Sequence, residues 1–406
     1  MKIALLTNII SPHQLPLAQA LRKRVGGANY RYIYTESLHG ERASMGWGDA
    51  VDDSWCRQGD EVNDAVTEAD VIYSESRATS LFQQRNREHK ISFYTSERWF
   101  KPPLGFLRVF VLPYFLKIFA FLRCFRNPKT CFLPQGIHAA RDMVRILGLL
   151  KGDLRFLFRA PTVAFESRPG GIVVPLKTAV EAGVLSADDI AFAKRQGFVR
   201  ISEGHWDKVT PTDLYAKMRL WGYFVAPSTQ PKMPAPKPDG EPLKVLWVGR
   251  MLALKHVDTL IAAVKSCITV YNMNVTLDLY GHGPMEAVLK DLAEGYDGIR
   301  FHDFIPIQEV RSVMRAHDVY VFPSNGYDGW GAVVSEALEE GLCVFGSYEA
   351  GATATMLDKK HLFAAEDVNG LVNLLKHYSP ECNTIRTWNA DDAADAMLQL
   401  IEEIQK

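Results

Sequence analysis

Short apolar runs recur along the first half of the chain, each followed by a polar or helical stretch. Residues 2–7, 30–34, 71–73, 91–94 and 130–133 read as buried strands, too short for helices and bounded by turn residues. A turn at Ser11-Pro12-His13 leads into a helix over residues 14–25, which Gly26-Gly27 ends. Strands that alternate with crossovers predict an α/β domain with a parallel, doubly wound sheet. The alternation then breaks. Prolines at 227, 231, 234, 236, 238 and 242, without apolar periodicity, predict a stiff, extended linker over 226–242. Beyond it the pattern resumes, with strands expected at 244–248, 275–280, 299–301, 319–322 and 342–345.

The expected organisation is therefore an N-terminal domain over 1–225, a second domain over 243–388 and a closing helix over 389–406. That helix has Asn389 as N-cap, Asp391 and Asp392 in its first turn, and Ala394, Met397, Ile401 and Ile404 at helical spacing. Two such domains are expected to leave a ligand cleft at the carboxyl ends of both sheets. Residues 151–220 fit the alternation poorly. They contain Arg168-Pro169-Gly170-Gly171, end in a helical-looking stretch over 212–220, and read as an insertion with some helix and no evident chemistry.

Length and composition narrow the class. At roughly 100–200 residues per domain, 406 residues suit two or three domains with ample core. A net charge of −1 gives no general attraction to nucleic acid. Cys56, Cys124, Cys131, Cys267, Cys343 and Cys382 stand singly, which suits reduced thiols in a cytoplasmic compartment. The apolar run after Met1 is too short for a signal peptide and reads as a first strand.

The densest chemistry lies in Ser324-Asn325-Gly326-Tyr327-Asp328-Gly329-Trp330-Gly331-Ala332-Val333-Val334-Ser335-Glu336. Here two carboxylates flank a glycine-rich turn that opens a helix. Asp328 precedes the helix and Glu336 lies on it, so a diphosphate at the Gly329, Gly331 and Ala332 turn would meet free amides while the acids accept bonds from sugar hydroxyls on either side. A strand–loop–helix joint with chance acidic residues is the competing reading of this window alone. Three further strand ends point to the same ligand. Gly249 lets backbone approach, and Arg250 and Lys255 could both reach one diphosphate, the arginine as a fork and the lysine as a point charge. Gly281 and Gly283 would clear room for a planar group, and Phe301 to Pro306, with Phe304 central, would wall a base pocket.

In this order and spacing the four segments resemble the donor half of the family 4 glycosyltransferases within the group 1 superfamily, which adopt the two-domain GT-B fold. The resemblance is close over 244–346 and loose over 1–147. The family's Gly-Arg-(x4)-Lys pattern is matched by Gly249, Arg250 and Lys255, and its paired-glutamate motif by Asp328 and Glu336, the first acid being an aspartate. The resemblance implies that Glu336 holds the ribose hydroxyls, that Asp328 contacts the transferred sugar with a shorter reach, and that the stereochemistry is retained. His256 is a second departure, since many relatives carry glycine after the lysine.

In the first half, Glu97 stands near the point where family members often have a histidine facing the acceptor. A carboxylate there could take the acceptor's proton or stabilise an oxocarbenium ion, or simply pair with Arg98 or another cation. His138 is the competing candidate, and His13 is a further loop residue expected to contact donor or acceptor, or neither. No cluster has metal-ligand spacing, and neither a metal nor a cofactor is called for.

From Arg98 to Arg141 there is no Asp or Glu, while eight Lys or Arg interleave with Phe106, Phe110, Tyr114, Phe115, Phe119, Phe121 and Phe125. The longest uncharged run falls far short of the ~20 residues that span a bilayer. Peripheral contact through about 101–126 with the inner face of a membrane is an expectation, since each basic residue near an anionic surface contributes about 1 kcal/mol. Pro113 is expected to interrupt the helix, and at about 100° per residue Lys117 would lie opposite Arg108.

The expected function is a retaining, hexosyltransferase-like enzyme. It would move sugar from a nucleotide diphosphate donor to a hydroxyl of a lipid-linked or polysaccharide acceptor, as in lipopolysaccharide or capsule assembly. A GT-B sugar-nucleotide epimerase would need no acceptor, and a degenerate nucleotide-sugar-binding protein would turn over no donor. A dehydrogenase is excluded because no Gly-x-Gly-x-x-Gly opens either half.

Overall fold

The computed structural model describes residues 1–11, 13–36, 56–58, 62–75, 84–85, 87–125, 127–211, 215–233, 235–238, 240–383 and 388–406. Pro12, Arg126, Pro234 and residues 212–214, all used above, lie outside these, as do the side chains of Cys56 and Cys382. The chain forms two compact units, residues 1–226 with 389–406, and residues 227–388.

The first unit is built on strands β1 (Ile3–Thr7), β2 (Tyr30–Tyr34), β3 (Cys56–Gln58), β4 (Val71–Glu75), β5 (Ile91–Ser96) and β6 (Thr130–Pro134). They pair in parallel in the order β3-β2-β1-β4-β5-β6. Every residue of β1, β5 and β6 is buried, as a sheet covered on both faces requires. Helix Ala390–Gln405, capped by Asn389 accepting from Asp392 N at 2.9 Å, lies on helix Leu15–Val25. Arg24 joins the two, donating to Asp391 at 2.8 Å and Asp395 at 2.9 Å.

The stretch expected to be an insertion with some helix carries a sheet of its own. β7 (Val163–Phe165), β8 (Val173–Pro175) and β9 (Phe198–Arg200) pair in the order β8-β7-β9, beside helices Leu176–Glu181 and Ala187–Gln196. The helix expected over 212–220 is absent from its described part. Instead the backbone bonds along the edge of β6: Phe132 N donates to Lys217 O at 2.8 Å, Arg219 N to Phe132 O at 2.9 Å, and Trp221 N to Pro134 O at 3.0 Å. Met218, Leu220 and Trp221 are fully buried there, and an open sheet edge outweighs local helix preference. Pro113 does not break a helix either. It is the second residue of helix Leu112–Phe125, where a missing N–H goes unnoticed, and Arg108 belongs to a separate 3-10 turn, Gly105–Phe110. The two cations therefore share no helical wheel.

The second unit repeats the design with β10 (Leu243–Val248), β11 (Val275–Tyr280), β12 (Ile299–His302), β13 (Val319–Phe322), β14 (Cys343–Ser347) and β15 (Leu362–Phe363), parallel in the order β12-β11-β10-β13-β14-β15. The proline-rich segment is fastened along this unit. Ser228 donates to Glu339 and Glu340 at 3.2 and 3.0 Å, and Lys232 Nζ reaches His317 O at 2.6 Å and Asp318 at 2.8 Å. Cys124, Cys131 and Cys267 are free and buried, but Cys343 is disulfide-bonded, so the expectation of reduced thiols fails at that residue. Among the described residues no helix is long and apolar enough to cross a membrane.

Candidate functional site

In the second sheet the strand order reverses between β10 and β13, the point at which ligands bind in such sheets, outside the strands' carboxyl ends. The loops that leave these two strands carry Gly249, Arg250 and Lys255, and Asp328, respectively. Gly249 N donates to Tyr280 O at 3.0 Å, Met251 N to His282 O at 2.8 Å, and Met285 N to Met251 O at 3.0 Å, which zips the β10 loop to the one after β11. Gly281 and Gly283 make that approach possible. A Cβ on Gly281 would stand 2.1 Å from Gly249 O, and one on Gly283 2.5 Å from Met251 O. Both glycines therefore let one loop backbone pack directly on the other. Gly281→Ala, which also meets a φ of 119°, should destabilise the fold by about 1–3 kcal/mol. An unchanged urea melt would contradict this.

The β10 loop closes in a 3-10 turn, Ala253–Lys255, and passes through His256 at φ 46° into helix Val257–Thr269. That left-handed backbone explains why glycine suits this position. Here the imidazole contributes a contact: Asn325 Nδ2 donates to His256 Nε2 at 2.9 Å, while Asn325 N donates to Leu254 O at 3.0 Å. The loops after β10 and β13 are thereby joined. Lys255 Nζ forms an ion pair with Asp328 and lies 5.3 Å from the Phe322 ring centroid.

Asp328 is held by its neighbours. Trp330 is buried beside Trp388 with ring centroids 5.7 Å apart, and Trp330 O accepts from Ala352 N at 2.9 Å. Gly331, at φ 95°, sits against Phe322, where a Cβ would come within 2.5 Å of the ring. The helix that follows, Ala332–Glu339, has no side-chain cap, so its start suits an anion. Burial pushes Glu336 up to about 7, opposed by the charge of Arg311 and reinforced by Glu340. Tyr320, whose hydroxyl donates to Val248 O at 3.3 Å, is raised well above its usual pKa by burial and then by the charges of Glu336 and Asp328. The charges of both acids thus act on one tyrosine, which ties β13 to β10. Arg250 is exposed at the start of the β10 loop.

Phe304 is half exposed in the loop after β12. Its neighbour His302 faces inward, stacked on Tyr280 at 4.3 Å and 2.6 Å from Asp278, which also takes Arg300 at 2.8 Å and His317 at 3.2 Å. This buried anchor has no local sequence signature. Among the described residues no three His, Cys, Asp or Glu side chains are grouped as a metal site needs.

In the first unit, Glu97 leaves β5 and pairs with Lys101 at 3.0 Å, while its other oxygen accepts from Tyr223 at 3.2 Å. Arg98 turns instead toward Asp142, at 3.9 Å. Asp142 accepts from Trp99 N and Phe100 N, both at 2.9 Å, and fixes the turn after Glu97. The Tyr223 ring lies 6.1 Å from that of His13, whose pKa burial pulls down to about 4, leaving it neutral at pH 7. His138 is buried on helix Ile137–Leu150 and stands edge-on to Phe198 at 5.4 Å, a packing environment. Tyr223 and Asp142 were not foreseen, for nothing near either in sequence points to Glu97.

Comparison with known proteins bears on the fold and on the second unit. Residues 242–379 match the family model for glycosyl transferases group 1. Among curated proteins no sequence matches the chain. The crystal structure of Anabaena Alr3699/HepE in complex with UDP and glucose is similar with a TM-score of 0.51 at 14% identity, covering 100% of each chain. That of the GtfA/B complex is similar with a TM-score of 0.52 at 11% identity, again covering 100% of each. Identities this low speak of fold alone. The chain has the GT-B fold, and its second unit matches the model for glycosyl transferases group 1.

Proposed function

We propose that the protein is a retaining family 4 glycosyltransferase that moves a hexose from a nucleotide diphosphate sugar to a hydroxyl of a lipid-linked or polysaccharide acceptor. The work would take place at the cytoplasmic side of a membrane, in cell-surface glycan assembly. The observation that supports this reading is the ion pair of Lys255 with Asp328 beside Phe322 at the strand-order reversal, with the charges of Asp328 and Glu336 both acting on Tyr320. Glu336 accepts the ribose hydroxyls, Asp328 a hydroxyl of the sugar, and Arg250 and Lys255 bind the diphosphate beside the start of helix Ala332–Glu339. Gly249, Gly329, Gly331 and Ala332 offer backbone to the same group, Phe304 flanks the base, and on the first unit Glu97 serves the acceptor side. The sugar's bond to the diphosphate oxygen breaks, the acceptor oxygen takes its place on the same face, and the acceptor's proton leaves with the diphosphate. Retention rests on the family resemblance.

A thermal-shift panel of nucleoside diphosphates tests this, with UDP first because the Anabaena relative was crystallised with it. A ligand at a hundred times its dissociation constant should stabilise by ~2.7 kcal/mol. If no nucleoside diphosphate or nucleotide sugar raises the melting midpoint, the reading fails.

A further inference from the structure

Helix Leu112–Phe125 is apolar on both sides. Ile118, Phe121 and Cys124 are buried against the unit, yet the outward stripe is Leu112, Phe115, Leu116 and Phe119, spaced as i, i+3, i+4 and i+7 and all exposed. A helix apolar all round is ordinarily covered all round. Phe110, at the end of the preceding 3-10 turn, is 81% exposed. A second apolar group comes from the end of helix Ile137–Leu150 and the short turn Arg155–Phe158: Leu150, Leu154, Leu157 and Phe158, the last 90% exposed.

One side chain joins the two groups. Arg145 lies 3.8 Å over the Phe106 ring of the 3-10 turn and donates to Phe156 O and Leu157 O at 2.5 and 2.6 Å. Phe156 is pinned inward over Gly148, where a Cβ would stand 2.3 Å from its ring. With Phe156 anchored, its neighbours Leu157 and Phe158 are left at the surface. Within the two segments the charges are mostly basic: Arg108, Lys117 and Arg123 on the first, and Lys151, Arg155 and Arg159 on the second, where Asp153 is the one acid and pairs with Arg155 at 2.7 Å.

We propose that the first unit rests on an anionic lipid bilayer through both segments, residues 104–119 and 150–158, as one apolar surface with a basic rim. Charge decides the occupant. A second copy docking by the same face would bring its own cations against these, whereas an anionic leaflet neutralises them and admits the apolar stripe between its headgroups. The inference uses nothing of the nucleotide site, so it stands or falls separately from the proposed transfer.

Flotation of the full chain with phosphatidylcholine vesicles, with and without phosphatidylglycerol, tests it. The protein should float with the anionic vesicles, and Leu116→Glu and Phe158→Glu should each lower the partition coefficient about tenfold or more, since each withdraws a large apolar side chain and adds a repelled charge. Both positions are exposed, so an unchanged melting curve verifies the fold. Flotation that persists in Phe158→Glu would overturn the two-part surface. Absence of flotation by the unaltered chain would overturn the proposal outright, as would a self-association that Phe158→Glu abolishes without any lipid binding.

Discussion

Lys255→Ala should lower turnover by about 100–1000-fold while weakening nucleoside diphosphate binding much less. In the proposed transfer, charge builds on the leaving diphosphate as the sugar departs, and a cation fixed beside it is worth more in the transition state than in the ground state. In the resting chain Lys255 is held by Asp328, so the ammonium is already placed when the donor arrives. Arg250→Ala should behave in the same direction. Steady-state turnover and the dissociation constant of the diphosphate, measured on the same preparations, decide the matter. Equal losses in both would mean that the cations serve binding alone. The pairing also gives the shorter acid a physical role, because Asp328 orients the lysine whether or not it reaches the sugar.

The two sheets were legible because strands of a covered parallel sheet are largely apolar runs, as Ile3–Thr7 and Val319–Phe322 are. The three-residue strands β7, β8 and β9 are too short to leave such a signal. The stretch 212–220 looks helical in sequence, yet Met218 and Leu220 sit on a sheet edge, a preference that only the finished edge of β6 creates. Lys255 and Asp328 are both candidates that the motif spacing singles out, and the structure joins them across 73 positions of chain. Gly281 and Gly283 could be recognised as glycines that matter, but the reason, backbone packed on backbone, belongs to the tertiary structure. Tyr223 lies 126 positions from the carboxylate it holds, and no local pattern announces it.

Glu336→Gln should move stability and affinity in opposite directions. The carboxyl titrates at about 7 in the folded chain against the usual 4.5, so between these values the folded state binds more protons and stability falls as pH rises. Above about pH 7 the desolvated carboxylate carries the whole penalty, on the order of 3 kcal/mol. A neutral amide carries none. The ligand-free variant should therefore melt higher than the unaltered chain at pH 8, with the gap closing toward pH 5. Nucleoside diphosphate affinity should fall about 100-fold, because an amide cannot accept both ribose hydroxyls as a carboxylate does, and bonds to a charged acceptor are the strong ones. Binding to the unaltered chain should also strengthen with pH through the same window as Glu336 ionises, a dependence the variant would lose. A variant that melts lower at pH 8 would show that the carboxylate is not held against its preference. A variant that binds as tightly as the parent would remove Glu336 from the ribose. Damage to the fold alone lowers stability and affinity together, so a gain in one with a loss in the other identifies a group whose ionisation is held in check until the nucleotide arrives.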